Sequence, residues 1–348
     1  MIFPILTRSC TTQACRSCLK PTINTIIGNP PYQVMDGGAG ASAKPVYHLF
    51  MEIAKHINPS YISMIMPSRW FAGGKGLDDF RETMLSDNRI SHIFDFINAK
   101  DCFPTSSIGG GVNYLLWSSK NRGPCSITTI QGKIRDTEMR SLNQFSVFIR
   151  YNSAIHIVKK CLSEDSFSSL VSTRNPFGLS SSFRGEDSGD LRLFSSEGIS
   201  WLRKTAVTSH NPLLTKYKIL ISKVTAEHAG EPDKNGQFRI ISRSEIIEPY
   251  DVCTDSYLVI GASDDKDIVV NEYKYIRTCF VRFLLMLSVS SINLSADKFK
   301  FIPLQDFTSS SDINWSESIE NIDKQLYVKY NLTGDEITFI ERMIKPME

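Results

Sequence analysis

An α/β fold is what this sequence predicts: a sheet assembled from strand–helix–strand units in its first third, followed by a second domain of mixed α+β character. Three observations carry the prediction. Short apolar runs of strand length alternate with amphipathic stretches between Ile26 and Trp117, the alternation that builds parallel sheets with helices on their faces. Beyond about residue 145 that alternation gives way to elements of both types in irregular order. A chain of 348 residues is also long enough for two hydrophobic cores. The expected organisation is a poorly ordered leader over 1–25, an α/β half-domain over 26–145 and an α+β domain over 146–348.

The first element lies in IIGNPPYQ, Ile26 to Gln33. Ile26 and Ile27 read as the end of a buried strand that stops at Gly28. Pro30 and Pro31 lock φ and remove two backbone donors, which leaves the carbonyls of Asn29 and Pro30 on a stiff extended turn as a rigid cluster of acceptors. Tyr32 sets an aromatic face beside them. Together they predict a pocket for something flat that carries an NH2 group. The Gly- and Ala-rich VMDGGAGASAKP that follows has no periodicity and reads as a mobile loop over that pocket.

Val46, Leu49, Phe50, Ile53, Ala54 and Ile57 recur at helical spacing and predict an amphipathic helix with that stripe toward the core, ending at Asn58–Pro59. YISMIMP, Tyr61 to Pro67, is a buried strand closed by proline. GLDDFRETML puts Leu77, Phe80 and Met84 on one helical face, RISHIFDFI is a strand, and Val112 to Trp117 forms another after a loop from Pro104 to Gly111. Gly109 to Gly111 is not a phosphate loop, because no helix follows it. A parallel sheet of at least four strands is expected, with the chemistry on the loops that follow strands.

In the second domain the pattern predicts a helix from Ser153 to Leu162, a polar loop STRNPFGLSSSFRGEDSGD, strands YKILISKV and SYLVIGA, and a long helix near Tyr273 to Leu287. Thr333 with Glu336 forms a capping box, Ile337, Ile340 and Ile344 an apolar stripe, and Pro346 a stop. That ending is expected of a complete C-terminus.

With 39 Lys+Arg against 37 Asp+Glu the net charge is only +2, so contact with nucleic acid has to come from local patches. The longest apolar run, CFVRFLLMLSV, is broken by Arg282 and is too short to span a membrane. The N-terminus lacks the charged start of a signal peptide, and Pro4 interrupts its apolar stretch. The 8 cysteines are scattered, which fits reduced thiols in a cytoplasmic protein. Cys10, Cys15 and Cys18 cluster without a fourth ligand and the histidines show no metal spacing, so no metal is expected.

NPPY resembles the catalytic motif of methyltransferases that act on exocyclic nitrogens. Its context resembles the gamma-type adenine-specific (N6-adenine) DNA methyltransferases of restriction-modification systems: VYHLF on a helix, MIMPSRWF ending a strand, then CFP before a Gly-rich turn and a strand. The resemblance is close from Ile26 to Trp117 and looser to the end, through FIPLQDF and LYVKYNLTGDEITFIERMIKPM. It implies a partial doubly wound, Rossmann-like methyltransferase sheet followed by a target-recognition domain, with S-adenosylmethionine as methyl donor and double-stranded DNA as partner. The adenine amino nitrogen gives its lone pair to the ring and is a poor nucleophile, so a catalyst must localise that pair by accepting from both N–H groups. The side-chain oxygen of Asn29 and the carbonyl of Pro30 suit this task, with Tyr32 stacking on a base rotated out of the duplex. By the same resemblance Pro31 and Phe103 contact the other side or edge of the base, and Phe50 lies near the cofactor, although packing in the core explains Phe50 equally. Arg174, Arg184, Lys298 and Lys300, in or beside irregular polar stretches, are the candidate DNA contacts.

The family's donor-binding strands, with a glycine-rich turn and an acidic residue for the ribose, normally precede NPPY. Only 25 residues precede Ile26 here, none of them glycine, and YLVIGASDD, later in the chain, lacks the second glycine of that turn. The strand ending in Ile26–Ile27 is therefore expected to be an exposed apolar edge that a partner chain or a missing N-terminal half covers. Two other functions fit parts of the pattern: a glutamine or ribosomal RNA guanine methyltransferase, which also uses NPPY, and a non-catalytic DNA-binding specificity module.

Overall fold

The computed structural model describes residues 23–34, 44–74, 76–106, 108–207, 211–226, 232–289 and 293–347. Nearly all of the expected leader, with Cys10, Cys15 and Cys18, and most of the Gly-rich segment after Tyr32 lie outside the described residues. The chain divides into two compact units, Met1–Asn152 and Ser153–Glu348.

The first unit is built on six strands in the order β1-β4-β6-β5-β7-β8. β1 (Thr25–Gly28) runs parallel to β4 (Tyr61–Pro67), with Gly28 opposite Met64. Between them lie a short ladder of β2 (Gln33–Val34) with β3 (Lys44–Pro45) and the crossover helix α1 (Tyr47–Ile57). After α2 (Asp78–Ser86) comes β5 (Ile90–Phe96), and β6 (Val112–Ser118) inserts between β4 and β5, antiparallel to both. β7 (Cys125–Gln131) pairs parallel with β5 and forms a hairpin with β8 (Ile134–Arg140).

The sheet is therefore mixed, which corrects the parallel sheet read from the sequence. No helix separates β5 from β6, and a strand that returns beside its predecessor without a crossover must run antiparallel to it. The sheet also extends past Trp117: β8 is mostly polar, with Arg135 to Glu138 an unbroken polar run and little burial, a pattern that looks like a change of texture rather than a strand. Met51, Ile62, Trp70, Ile93, Leu115 and Trp117 are among the side chains that fill the core. As the spacing of α2 predicts, Leu77, Phe80 and Met84 are buried with them.

α1 departs from its expected orientation. Tyr47, Met51 and Ala54 are its buried residues, whereas Leu49, Phe50, Ile53 and Ile57 are 46, 42, 58 and 45% exposed. The helix has two apolar faces, and the sheet covers the narrower one. Among the described residues β1 has a strand on one side only; Ile27 is 60% exposed, as expected of an apolar edge and not of the buried strand its sequence first suggests. Asp87 anchors the opposite ends of these elements, accepting from Lys55 at 2.6 Å, from Arg89 at 2.7 and 3.0 Å and from the Trp117 indole at 3.0 Å. Burial alone would raise its pKa, but these donors hold it far below the usual carboxylate range.

The second unit begins in α3 (Asn152–Cys161) and holds two three-stranded sheets. In one, β9 (Leu191–Ser195) lies between antiparallel β10 (Gly198–Leu202) and parallel β13 (Asp251–Cys253). In the other, β11 (Tyr217–Ser222) lies between β12 (Ser244–Ile247) and β14 (Tyr257–Ser263), antiparallel to both. The long helix expected near Tyr273 to Leu287 is two helices, α4 (Lys266–Arg277) and α5 (Cys279–Ser288), separated by extended Thr278. The Thr278 hydroxyl caps Val281 N at 3.2 Å, and Asp323 of α6 (Ile319–Lys329) accepts from Cys279 N and Phe280 N at 2.8 Å each. A break capped by a threonine and a distant aspartate carries no glycine or proline signal. The Thr333–Glu336 capping box opens α7 (Gly334–Met343) as expected. Among the described residues no helix is long and apolar enough to cross a membrane.

Glu272 of α4 is 4% exposed, and its Oε2 has no hydrogen-bond partner. The carboxyl occupies the space where a Cβ on Gly261 would stand, 1.8 Å from that position, and Gly261 has φ +56. Burial pushes the pKa of Glu272 from 4.5 up to about 7. An acid whose pKa is raised by folding leaves stability intact below its unfolded pKa and reduces it as pH rises from about 4.5 through about 7. The cost at the upper end is on the order of 3 kcal/mol. Denaturant unfolding from pH 4.5 to 8 should show this loss in the parent chain, and Glu272→Gln should remove most of the difference; parallel pH profiles for the two chains would refute it.

Candidate active site

The sequence-predicted acceptors stand where β1 ends. Asn29 is exposed, Pro30 buried, Pro31 exposed and Tyr32 half-buried. The Tyr32 carbonyl accepts Val46 N at 3.1 Å, tying the segment to the start of α1. Among the described residues nothing donates to the Asn29 side chain or the Pro30 carbonyl. The Tyr32 hydroxyl is enclosed without a partner among the described residues. Burial, together with the nearby Cys102 thiol, pushes its pKa up to about 12. Tyr32 therefore lies beside the loop between β5 and β6.

That loop carries Phe103, which is half-buried. It opens with a short turn, Ala99–Asp101, in which the Asn98 side chain accepts Lys100 N at 3.0 Å. Phe103 N donates to Ala99 O at 2.7 Å, and Asp101 accepts Gly132 N at 2.8 Å. Tyr114 of β6 stacks on Phe94 at 4.6 Å between ring centroids. Burial raises the Tyr114 pKa, and the Cys102 thiol adds to the effect. The structure thus brings Tyr32 beside Cys102 of the CFP loop and adds Tyr114, to which the sequence analysis gives no role. A tyrosine in a strand and a lone cysteine carry no spacing signal.

Behind these groups lies a polar network. Asp95 of β5 has no exposure and accepts from the Ser68 hydroxyl at 2.8 Å and from Arg150 Nε and Nη2 at 2.6 and 2.8 Å. Ser68 follows β4, and its N–H donates to Gly111 O at 3.0 Å. Asn113 of β6 donates to Met66 O at 3.2 Å and the Ser68 hydroxyl at 3.3 Å, while its buried Oδ1 has no partner. The one signal for this network was an aspartate inside the apolar strand HIFDF, because a buried carboxylate requires donors.

Phe50 lies on the outward face of α1, away from the core stripe assigned to it. The four candidate DNA contacts belong to the second unit and all have acidic or aromatic neighbours. Arg174, 77% exposed at its side chain, pairs with Asp255 at 3.0 Å, and Arg184 pairs with Glu197 at 2.7 Å. Lys298 pairs with Asp297 at 3.2 Å, and Lys300 sits 5.4 Å from the Phe301 ring. Among the described residues β1 is the edge of the sheet.

Residues 19–103 match the family model described as Eco57I restriction-modification methylase. The chain is 30% identical over 155 residues to an uncharacterized adenine-specific methylase of Mycoplasma pneumoniae (strain ATCC 29342 / M129 / Subtype 1), which covers 43% of this chain and 36% of that protein. Among solved structures it is similar to the Type IIL restriction-modification enzyme MmeI in complex with DNA, at 10% identity and a TM-score of 0.47, covering 91% of this chain and 56% of that one. It is also similar to the type IIG restriction endonuclease BpuSI, at 12% identity and a TM-score of 0.33, covering 86% and 48% respectively. The chain thus spans 36% of the length of the curated relative it matches.

Because the Tyr32 hydroxyl has no partner among the described residues, Tyr32→Phe should leave thermal stability unchanged or raise it by up to about 1 kcal/mol, through relief of an unmet buried donor. Melting curves check this; a loss of more than about 1 kcal/mol would mean that the hydroxyl is satisfied in the native protein.

Proposed function

We propose that this chain, homologous over residues 19–103 to adenine-specific DNA methylases of restriction-modification systems, holds the target adenine during N6 methylation and reads DNA with its second unit. The observation that carries the reading is the pair of acceptors beyond β1. The Asn29 side-chain oxygen and the Pro30 carbonyl have no donor among the described residues and stand on a segment stiffened by two prolines. In the reading, the adenine amino group donates to both, which keeps its lone pair on nitrogen. Tyr32 and Phe103 enclose the flipped base, with Pro31 at its edge. Stacking on them offsets an unstacking cost of a few kcal/mol.

S-adenosylmethionine would supply the methyl group, and a donor-binding segment would supply most of its site. The free edge of β1 and the outward apolar face of α1 support that arrangement. Unpaired strand amides and carbonyls are a template for a further strand, and Leu49, Phe50, Ile53 and Ile57 form an apolar stripe for it to cover. Phe50 would then lie at the donor. The segment belongs either to the same polypeptide or to a partner chain.

Calorimetric titration of the chain alone with S-adenosylmethionine should give no binding at micromolar concentrations; micromolar affinity would remove the need for a donor segment. With that segment present, Asn29→Ala should lower the methylation rate by about a hundredfold or more while DNA affinity stays within a few fold. Wild-type turnover in that variant would rule out the assigned role.

Duplex binding by the second unit should weaken steeply with salt, because each phosphate contact releases counterions. Arg174, Arg184, Lys298 and Lys300 remain its proposed contacts, and removing one of them should reduce the log–log slope by about one unit. The ion pairs of Arg174, Arg184 and Lys298 are exposed on at least one side, so they exchange for phosphate at little cost. A flat salt series, or a slope untouched by all four substitutions, argues against these contacts.

A further inference from the structure

We infer that Arg150 is a positioning residue: it holds the loop that presents Phe103, and it does so by clamping both ends of that loop at once. The inference rests on the base-binding reading above. The Arg150 guanidinium places Nε and Nη2 on the two oxygens of Asp95. Its remaining bonds go to the two stems of the β5–β6 loop: Nη2 to Phe96 O at 3.2 Å, where β5 ends, and Nη1 to Gly110 O at 2.9 Å, just before β6. One planar cation therefore meets four acceptors, a pattern that depends on the fork geometry of arginine. The backbone that carries it is pinned in turn, since the Thr129 hydroxyl donates to Arg150 O at 2.6 Å.

The same clamp explains Gly109 to Gly111, the run that is not a phosphate loop. Gly111 has φ +79, and a Cβ there would stand 2.2 Å from Phe96 O and 2.7 Å from Arg150 Nη2. Only glycine lets the second stem come this close to the first and to the guanidinium. Between the stems lie Cys102 and Phe103, with Tyr32 beside Cys102. Asp101 adds one further tether, to Gly132 N at 2.8 Å. Freed from Arg150, the loop keeps that tether, its internal turn and the pairing of Phe96 with Val112 at its base, but Gly110 O and Phe96 O lose the guanidinium that joins them, and the residues between, Phe103 among them, are held less firmly against Tyr32.

Arg150→Lys keeps a positive charge beside Asp95 while giving up the fork, and a chain with Asp95→Asn and Arg150→Gln removes both charges together. Hydrogen exchange of the full chain, followed by mass spectrometry, reads the loop without any ligand. In both variants exchange at Phe103, Ser106 and Gly111 should accelerate about tenfold or more, with β4, β5 and β7 within a factor of two of the parent. Base capture is then read from the fluorescence of an oligonucleotide duplex bearing 2-aminopurine opposite an abasic site, whose capture should weaken about tenfold in both variants. Unchanged loop exchange, or parent-like capture in both variants, overturns the positioning role. A parent chain that leaves the probe fluorescence unaltered overturns the base-binding reading itself, and with it the role given to Arg150.

Discussion

A carboxylate sealed from water in the middle of a strand has to be answered by donors, and Asp95 is answered from two distant parts of the chain. Ser68 reaches it from the end of β4 and Arg150 from the segment after β8. Leaving such a group unpaired costs several kcal/mol, so the two segments are committed to one place. Their own bonds spread the commitment: Ser68 N donates to Gly111 O and the Ser68 hydroxyl accepts from the Asn113 amide, while Arg150 donates to Gly110 O and Phe96 O. The loop ends beyond β4 and β5 and before β6 converge because one buried charge requires it.

The remainder of the first unit has the opposite character at its β1 side. There Ile27 and the outward face of α1 present apolar groups to water, although the inner face of the same helix is fully packed. Asp87 fastens α1 and β6 with three donors at the far ends of the strands, so the helix does not need its outer face to stay in position. Such an edge is suited to receive another strand, and the acceptors of Asn29 and Pro30 lie immediately beyond it.

The second unit shows how far polar side chains can be taken into a core when each finds backbone partners. Arg282 has no exposure and donates to the carbonyls of Arg277, Thr278 and Lys345, and Lys218 donates to those of Lys216 and Glu248. Burial lowers the Lys218 pKa to about 8. Asp323, raised to about 6 by burial, caps α5 from another helix. Among the described residues Glu272 has no such donor, and burial raises its pKa to about 7. These interior groups are committed by desolvation, whereas the exposed ion pairs of Arg174 and Arg184 contribute little to stability.

The sequence by itself determined the local elements: the strand Tyr61–Pro67 to the residue, the helical face of Leu77, Phe80 and Met84, the capping box at Thr333, and the stiff acceptor turn after Gly28. Each depends on neighbours within a few residues, through φ restriction, side-chain periodicity or a single cap. Tertiary structure alone decided the direction of β6, the addition of the β7–β8 hairpin, which face of α1 is buried, and the break at Thr278. It also decided the company of Asp95, whose partners lie 27 and 55 positions away in the chain. Strand direction and burial are settled by what packs alongside, and an amphipathic pattern with two apolar faces does not say which one the sheet will take. The acceptors of the candidate site were legible because prolines write their geometry into the sequence; the clamp that steadies the loop opposite them was not, because hydrogen bonds between distant segments leave no spacing to read.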